Sequence, residues 1–521
     1  MKKLKTALIA AIFALTAPGV FHIVNPDTVF AETLGDFAYT VSGDEVTVTD
    51  YIGNDTDIAV PYEIEGLPVT GIGESAFENC ISVESIKIPN RIAYIGDFAF
   101  WRTSLNDVEI PDSVTYIGYA AFVYSKNLTS INVSENNSVY SSIGGVLFNK
   151  NQTELICYPN GKTGEYTVPN GVTDIGDGAF LYCESLTGIE LPDGITDIGD
   201  LAFSDCTGLE DITIPNGLTG IGTSAFDNCT SLASVGIPDS VASIGVSAFH
   251  NCTELTYAEI PGNVTDIADF LFYDCKNLES VKVADSVKSI GTGAFSDCIS
   301  LKSLEIPNSV SDIGLSAFEN CTDLTFIKIG DGIKYIGDLA FLNCTALTGI
   351  TLPDGILGIG KYAFADCISL ADIEIPYTVT DIGSYAFFGC PNLIKVTVWS
   401  SVSGIEDETF GYYYSYDMLA TVKTDGFTIC GYADAFSKNY AAGNELEFIS
   451  LGNMPILGDA DGIDSVTIAD AVVIARLLLD EPVQINKSAA DIDRDGKITV
   501  KDLLKVVLFV GGNSVAISVD F

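Results

Sequence analysis

Apolar and polar positions follow one pattern that returns every 23 residues between Cys183 and Cys390. The alternation that ends at Ile237 predicts a short strand with its apolar side inward, and Pro238 ends this strand because proline has no N–H for the ladder. The following Ala-Phe-x-x-Cys segment places apolar groups at near-helical spacing on the opposite wall. No coil buries these side chains alone, so the coils are predicted to stack. In the coil after Cys229 the apolar and small positions are Leu232, Val235, Ile237, Pro238, Val241, Ile244, Gly245, Ala248, Phe249 and Cys252.

The repeat accounts for most of the chain. Its phenylalanine position occurs fourteen times between Phe77 and Phe410. A fixed period of this length, with an L-x-x-L-x-L segment and a cysteine position, is typical of leucine-rich repeats. Parallel strands stack about 4.8 Å apart, so these coils would form a solenoid about 70 Å long. The predicted fold class is α/β: a leucine-rich repeat solenoid of about fourteen coils with a parallel β-sheet on one face.

The repeat resembles the bacterial BspA-like leucine-rich repeats, a family of secreted and surface proteins. The consensus IPxxVTxIGxxAFxxCxxLxxI is nearly matched from Ile214 to Ile237. The resemblance implies an N-terminal cap over residues 32–70 and repeats over 71–450, with an irregular insertion at 134–169 and a closing unit at 411–450. No block of about 200 residues is left for a separate catalytic domain, although a chain of this length has room for several domains.

The N-terminus predicts export from the cell. A basic start precedes the apolar stretch from Thr6 to Ala17, and Val29-Phe30-Ala31 offers a cleavage pattern, so residues 1–31 are predicted to be a signal peptide. This apolar stretch is shorter than the roughly 20 residues that cross a bilayer. We therefore expect a secreted, extracellular protein without membrane insertion after signal cleavage.

The balance of charge excludes nucleic-acid binding. The chain has 70 acidic and 25 basic side chains, a net charge of −45, and would be repelled by phosphate backbones. Removal of the signal leaves His250 as the only histidine, in a slot that other repeats fill with Asp227, Tyr273, Ser296 or Glu319. Catalysis by a Ser-His-Asp or Cys-His arrangement needs a histidine base beside the nucleophile. No catalytic residues are assigned.

The thirteen cysteines are predicted to be core residues. Eleven of them occupy one inward slot of the repeat, where neighbours are about one strand spacing apart, beyond the about 3.8 Å between the Cβ atoms of a disulfide. The expected arrangement is a column of buried free thiols. Cys157 and Cys430 lie outside this column and are left unassigned.

The middle residue of each predicted strand faces solvent. The charges at Glu259, Lys282, Glu305 and Lys328 alternate, which favours cross-strand pairs. Aromatic residues are sparse on this face, so it is interpreted mainly as a solvated stacking surface with weak support for sugar binding. For the aromatic cluster Tyr412–Tyr416, sugar binding and packing of the last coil both stay open. The outward positions are Lys87, Glu109, Asn132, Glu190, Thr213, Gly236, Glu259, Lys282, Glu305, Lys328, Thr351, Glu374 and Thr397, and the neighbouring outward slots add Tyr257 and Phe326.

Two acidic loops near the C-terminus predict calcium binding. The second loop carries carboxylates at positions 1, 3, 5 and 12 and glycine at position 6, the spacing that surrounds calcium with oxygen atoms. In the first loop, Ile463 and Asp464 depart from this pattern, so weaker binding is expected there. The predicted ligands are Asp459, Asp461, Asp464, Ser465, Thr467 and Asp470 in the first loop, and Asp491, Asp493, Asp495, Lys497, Thr499 and Asp502 in the second.

This duplicated, EF-hand-like loop–helix resembles a type I dockerin over residues 455–521. The resemblance implies a small all-α module that docks on a cohesin of a scaffoldin in a cellulosome. The two halves differ in sequence, so equal binding in two orientations is not expected. The residues implied to bind the partner are Ile468, Ala469, Ala475, Arg476, Val500, Lys501, Val507 and Leu508.

Together these features predict a secreted, non-catalytic component of a cellulosome-type complex, held at the cell surface through a scaffoldin. The solenoid would present a binding surface to plant polysaccharide, another cell or another protein during polysaccharide degradation. Two alternatives stay open. One is a divergent polysaccharide-degrading hydrolase, and the other is a cell-surface adhesin anchored through the calcium module.

Overall fold

A computed structural model describes residues 32–399, 401–406, 408–415, 419–431, 436–451, 460, 466, 468–479, 485, 487–492 and 497–510. The predicted signal peptide, residues 1–31, lies outside the described residues. The described chain divides into two compact units. The first comprises the residues up to Val264 together with 271–276, and the second comprises 265–270 together with the residues from 277 onward. Within these described ranges, no helix is long and apolar enough to cross a membrane.

From Glu32, a small set of strands covers the first coil. Its first three strands pair antiparallel, and the third pairs parallel with the strand Leu67–Ile72. The rings of Phe37 and Tyr51 lie 6.5 and 5.7 Å from the ring of Phe77, so the apolar end of the solenoid is covered. The strands of this segment are Glu32–Leu34, Phe37–Ser42, Glu45–Tyr51, Asp57–Ala59, Glu63–Ile64 and Leu67–Ile72.

Each regular coil contributes one strand to a broad sheet, in which strands from successive coils pair parallel. Their register follows the repeat, as in the pair Glu305 and Lys328. In the first unit the broad-sheet strands are Ser85–Lys87, Asp107–Ile110, Ser130–Val133, Gly164–Thr167, Leu186–Glu190, Asp211–Thr213, Ser234–Val235 and Tyr257–Ile260. In the second unit they are Ser280–Val283, Ser303–Glu305, Phe326–Lys328, Gly349–Thr351, Asp372–Glu374, Lys395–Val398, Thr428–Gly431 and Glu447–Ser450.

A second, narrow sheet of two-residue strands runs along each unit. Each strand ends at an isoleucine, and in all but two coils, where Ala268 and Glu406 stand, the next residue is a glycine that passes close to the coil before it. A Cβ atom at Gly245 would lie 2.4 Å from the backbone nitrogen of Thr223, so a side chain has no room there. The narrow-sheet strands are Tyr94–Ile95, Tyr116–Ile117, Asp174–Ile175, Asp197–Ile198, Gly220–Ile221 and Ser243–Ile244 in the first unit, and Asp266–Ile267, Ser289–Ile290, Asp312–Ile313, Tyr335–Ile336, Gly358–Ile359, Asp381–Ile382 and Gly404–Ile405 in the second.

The repeated phenylalanines of successive regular coils stack on one another inside each unit. Successive ring centroids lie 4.8 to 5.6 Å apart from Phe180 to Phe272, and 5.0 to 5.3 Å apart from Phe295 to Phe410. The rings are nearly parallel, with 3° between Phe318 and Phe341. The strand spacing imposes this separation, which is also suitable for offset stacking of aromatic rings.

The wall that carries Ala-Phe-x-x-Cys is built from turns in the regular coils, although its spacing is near-helical. Residues in the left-handed region close these turns, with φ of +60° at Asn320 and +59° at Asn343. The Asn343 side-chain amide donates to Oδ1 of Asn320 at 2.9 Å, and Asn320 donates to Asp297 at 2.9 Å. This ladder joins neighbouring turns and explains why asparagine and aspartate recur before the cysteine.

The cysteine column is buried and free of disulfides, as predicted. All thirteen cysteines are free thiols, and all except the half-buried Cys80 are buried. Along the column the thiol donates to the carbonyl oxygen of a phenylalanine one coil back, for example from Cys321 to Phe295 at 3.2 Å. In an earlier coil Ser125 fills the slot and donates to the Phe100 carbonyl at 3.0 Å. The slot therefore favours a small side chain that donates a hydrogen bond, because this bond joins one coil to the next.

We expect thirteen thiols to react in denaturant and none to react rapidly in the native chain. Burial raises the pKa of Cys80 to about 11 and that of Cys157 to about 12, which removes the reactive thiolate near neutral pH. A thiol titration of native and denatured protein, prepared without oxidation, checks both counts. A denatured count lower by two or more would contradict the free column, since each disulfide removes a pair.

The insertion interrupts the wall of turns in the first unit. Three antiparallel strands form here, and the last of them pairs parallel with Asp174–Ile175, so it takes a place in the narrow sheet. Tyr158 then stacks on Phe180 with ring centroids 5.0 Å apart. The aromatic stack thus continues on a tyrosine where the repeat pattern fails. The strands of the insertion are Tyr140–Ile143, Val146–Asn149 and Glu154–Cys157.

The described residues of the second unit after the last regular coil include a hairpin and four helices. The hairpin strands are Tyr412–Ser415 and Ala420–Lys423. The hydroxyl of Tyr412 donates to Oδ1 of Asn444 at 3.1 Å, so this part of the tyrosine cluster packs against the closing residues, whereas Tyr416 lies outside the described residues. The helices are α1 (Phe436–Gly443), α2 (Ile468–Leu478), α3 (Lys487–Ala490) and α4 (Val500–Val510).

Candidate calcium module and ligand surfaces

Helices α2, α3 and α4 surround a small apolar core separate from the aromatic stack. Ile474 of α2, Val506 of α4 and Ile492 after α3 are buried there together with three alanines. This core is far smaller than that of the solenoid. Small modules of this kind commonly depend on a bound metal for folding.

The second acidic loop is closed by its last predicted ligand. Oδ1 of Asp502 accepts the backbone N–H of Ile492 at 2.8 Å, and Oδ2 accepts the backbone N–H of Thr499 at 2.8 Å. The Thr499 hydroxyl in turn accepts the N–H of Lys501 at 3.2 Å, which caps the first turn of α4. One carboxylate thus connects the start of the loop, its ninth position and the helix.

Three predicted ligands bury their carboxylates completely. Asp470, Asp491 and Asp502 are each 0% exposed. Burying carboxylates is costly unless a positive charge or several hydrogen bonds compensate. Calcium takes oxygen ligands from carboxylates and carbonyls, so this all-oxygen donor set fits that cation.

The described residues include only part of the predicted ligand sets. Lys497 and Thr499 lie on the described part of the second loop, where Lys497 is exposed and its carbonyl is the predicted ligand. Among the described residues, no group of three or more His, Cys, Asp or Glu side chains is placed to hold a metal ion. The ligand assignments therefore stay predictions. The predicted ligands outside the described residues are Asp459, Asp461, Asp464, Ser465, Thr467, Asp493 and Asp495.

An apolar stripe on α4 is exposed to solvent. Val500, Leu504 and Val507 are 68%, 55% and 42% exposed, and their i, i+4, i+7 spacing places them on one face of the helix. We call these three residues the docking stripe. Unpartnered apolar side chains in such a row are typical of a protein-binding surface.

The docking stripe includes two of the predicted partner-binding residues, Val500 and Val507. Leu504 was not predicted, although its helical spacing from Val500 is visible in the sequence, and neither was the exposed Val472 of α2. The other predicted positions are distributed over both helices. Ala469, Arg476 and Lys501 are exposed, Ala475 is half-buried, and Ile468 and Leu508 lie in α2 and α4 with side chains outside the described part of the structure.

The broad sheet presents a mixed and mostly charged surface, as predicted. Its outward residues are exposed or half-buried, and Lys328 Nζ lies 3.7 Å from Oε2 of Glu305 on the neighbouring strand. Tyr257 and Phe326 are the exposed aromatic residues of the neighbouring outward slots. An exposed ion pair of this kind stabilises the fold by about 0–1 kcal/mol, so these charges chiefly set the character of the surface.

Aspartates that recur two residues after the narrow-sheet strands have a structural role. Oδ1 of Asp177 accepts the backbone N–H of Asp200 at 2.9 Å, and Oδ1 of Asp200 accepts the N–H of Thr223 at 2.7 Å. Each carboxylate therefore satisfies a backbone donor of the next coil. Such bonds account for the repetition of these aspartates along the coils.

His250 also belongs to an inter-coil contact. Its Nδ1 lies 2.6 Å from Oδ1 of Asp227, and its ring stacks on Tyr273 with centroids 5.2 Å apart. Burial opposes protonation of the ring, but the hydrogen bond and charge of Asp227, with Asp274 and Asp205, outweigh it and raise the pKa of His250. The contact with Asp227 thus favours the protonated form of the ring.

We expect the imidazole of His250 to titrate above its usual pKa of about 6.5. Because the folded pKa is raised, the stabilisation is fully present below the unfolded pKa and is lost as the pH rises through the folded value. Imidazole proton resonances of a chain beginning at Glu32 give the pKa directly. Asp227→Asn should lower it, and an equal pKa in both proteins would contradict the assigned contact.

The stacked coils define this chain as a leucine-rich repeat solenoid protein, followed by a small module that contains helices α2, α3 and α4. A model of the BspA type leucine rich repeat region matches residues 62–167, 173–302 and 288–417, which together exceed half of the chain. The chain therefore belongs to the BspA type leucine-rich repeat family. A dockerin type I domain matches residues 457–508.

Solved bacterial repeat proteins resemble the solenoid. A leucine-rich repeat protein from Bacteroides ovatus is 28% identical over 77% of this chain and 100% of its own, with a TM-score of 0.51. A leucine rich cell surface protein from Faecalibacterium prausnitzii is also 28% identical, over 77% of this chain and 99% of its own, with a TM-score of 0.43. No curated protein sequence matches this chain.

The matches confirm the predicted architecture of repeats followed by a dockerin. Type I dockerins bind calcium, and the domain indicates cohesin docking in a cellulosome-like context. Neither matched region is a catalytic domain. The repeat region indicates a binding surface.

Proposed function

We propose that this chain is a secreted, non-catalytic component of a cellulosome-type complex. In this proposal the dockerin binds a scaffoldin cohesin when calcium fills its loops. The resulting complex lies outside the cell. The solenoid then presents its broad sheet to plant polysaccharide or to a surface ligand.

The docking stripe is the observation that supports cohesin docking most directly. Val500, Leu504 and Val507 are exposed beside the closed second loop, on the helix that the dockerin resemblance assigns to the partner. Apolar side chains at the centre of an interface provide much of its binding energy once water is excluded. The binding face is consequently a rigid helix whose start is held by Thr499 and Asp502.

Capture of the full chain by immobilised type I cohesins tests docking. We expect binding in calcium and release when a chelator removes it. Lys501→Glu and Leu504→Asp should weaken binding, since each places a negative charge on the docking stripe or beside it, whereas Lys395→Glu on the solenoid should not. Binding that persists after chelation, or that is equally tight in Leu504→Asp and the unaltered chain, would argue against this mode of docking.

Mixing the full chain with plant cell-wall material tests the solenoid. Depletion of the protein without release of reducing sugar would support a targeting role in polysaccharide degradation. Sugar release would instead support the hydrolase alternative. If neither occurs, the ligand is a protein or another cell, and calcium-independent retention on cells would favour the adhesin.

A further inference from the structure

One column of residues follows the broad-sheet strands along the solenoid, one residue after the strand-ending proline or its counterpart. We call it the strand-end column. Its members are small polar, acidic or glycine residues in every coil but one, where Tyr377 stands. The column comprises Asn90, Asp112, Glu135, Asn170, Asp193, Asn216, Asp239, Gly262, Asp285, Asn308, Asp331, Asp354, Tyr377 and Ser400.

Tyr377 is also the buried member of this column. It is 7% exposed, and Thr378 beside it is 3% exposed, whereas the other described members are exposed or half-buried. An aromatic ring placed in a solvent-facing column is buried only if something covers it. The repeat itself does not supply this cover, because the same position in the other coils is open.

The C-terminal module supplies the cover. The hydroxyl of Tyr377 donates to Oδ2 of Asp491, the first residue of the second calcium loop, at 3.2 Å. One coil earlier, Oδ2 of Asp354 lies 3.3 Å from Nζ of Lys487 in α3. Two successive members of the strand-end column therefore contact the same short segment of the module.

The distance between Lys487 and Asp491 in the module matches the distance between two neighbouring coils of the solenoid. Lys487 and Asp491 are joined by a backbone hydrogen bond of 3.1 Å from the N–H of Asp491 to the carbonyl of Lys487, so they lie one helical turn apart. Side chains so placed are about 5–6 Å apart. Neighbouring coils lie about 4.8 Å apart, so one turn of the module spans two coils.

We propose that Tyr377 and Asp354 form a seat on the solenoid for the chain's own C-terminal module. The seat holds the second calcium loop at its first predicted ligand, which makes Tyr377 a positioning residue for that loop. A carboxylate has two oxygens, so a hydrogen bond at Oδ2 of Asp491 is compatible with cation ligation through the other. Outer-shell partners of this kind fix the direction of a metal ligand.

The seat leaves the docking stripe exposed. Asp491 and Lys487 contact the solenoid, whereas Val500, Leu504 and Val507 stay open to solvent. The module is thus held to its solenoid on one side and available to a partner on the other. Only this last consequence rests on the proposed cohesin docking.

Zero-length carbodiimide cross-linking of the full chain in calcium tests the seat directly. The expected product joins the Lys487 amine to the Asp354 carboxyl and is identified by mass spectrometry after digestion. Asp354→Asn should abolish this product, and Asp331→Asn, one coil earlier in the same column, should leave it intact. Absence of the Lys487–Asp354 product in the unaltered chain would overturn the proposal.

Calcium affinity provides the second measurement. Tyr377→Phe keeps the ring and removes only the hydroxyl, and we expect about tenfold weaker calcium binding at one site, because outer-shell partners are worth about 10–100-fold. Tyr335→Phe, at an exposed tyrosine of the same unit, is the matched control. Equal affinities of Tyr377→Phe and the unaltered chain would overturn the positioning role.

These measurements are independent of cohesin. If the cross-link and the affinity change are found but no cohesin is captured, the seat is supported and the proposed docking is contradicted. If cohesin is captured without the cross-link, the docking is supported and the seat is contradicted.

Discussion

Replacement of Asp502 by alanine is expected to weaken calcium binding at the second loop by at least about 100-fold, since even outer-shell partners of a metal are worth about 10–100-fold. Asp502 is fully buried, and its two oxygens accept N–H groups from Ile492 and Thr499. The substitution removes a predicted ligand and also leaves these donors without their partner. We therefore expect the module to lose its calcium-dependent fold together with cohesin capture.

Calorimetric titration of calcium into chelator-stripped protein measures the first effect, and cohesin capture measures the second. Asp372→Ala, on an exposed strand position of the solenoid, is the control and should leave both unchanged. The calcium affinity of Asp502→Asn should lie between those of Asp502→Ala and the control, because the amide keeps one acceptor oxygen but loses the charge. Tight cohesin binding by Asp502→Ala would refute the calcium dependence of docking.

Replacement of Phe318 by alanine is expected to destabilise the second unit by about 3–5 kcal/mol, the usual cost of removing a buried aromatic side chain. The ring of Phe318 lies between those of Phe295 and Phe341, at 5.3 and 5.2 Å. Alanine would leave a gap in the stack that neighbouring coils, fixed by two sheets, cannot close.

Phe326→Ala provides a matched comparison, because Phe326 is 53% exposed on the broad sheet of the same unit. Its effect should stay within about 0.5 kcal/mol, as for other exposed substitutions. Denaturant unfolding of both variants, combined with hydrogen exchange along the coils, separates the two cases. Similar losses of stability would mean that the stack does not carry the core.

The sequence predicted the stacked coils and the thiol column because both repeat at a fixed period, whereas the contact between successive phenylalanine rings became visible only in the structure. The narrow sheet was not predicted, since strands of two residues such as Ser243–Ile244 are too short to show alternation. Tyr158 was missed for a different reason: it enters the aromatic stack from an insertion that has no period. The left-handed turns at Asn320 and its counterparts depend on backbone geometry that composition alone does not specify.

For the module, the spacing of the loops predicted the calcium ligands, and the dockerin resemblance implied part of the helix face. It did not reveal that Asp502 closes the loop through Ile492 and Thr499, because hydrogen-bond partners follow from the folded loop. Leu504 was accessible from helical spacing and was overlooked. Tyr377 departs visibly from the other members of its column, but its contact with Asp491, 114 residues later, required the structure.

The strict period of the coils has a consequence for the size of this protein. Each regular coil contacts its neighbours through bonds between residues 23 apart, such as those of Asn343 with Asn320. Loss of residues 303–325 would therefore bring together two coils that already have complementary edges. The product would be a shorter solenoid with intact ends and an intact seat. Relatives of this chain should accordingly differ in length by multiples of one whole coil, and partial coils should be rare.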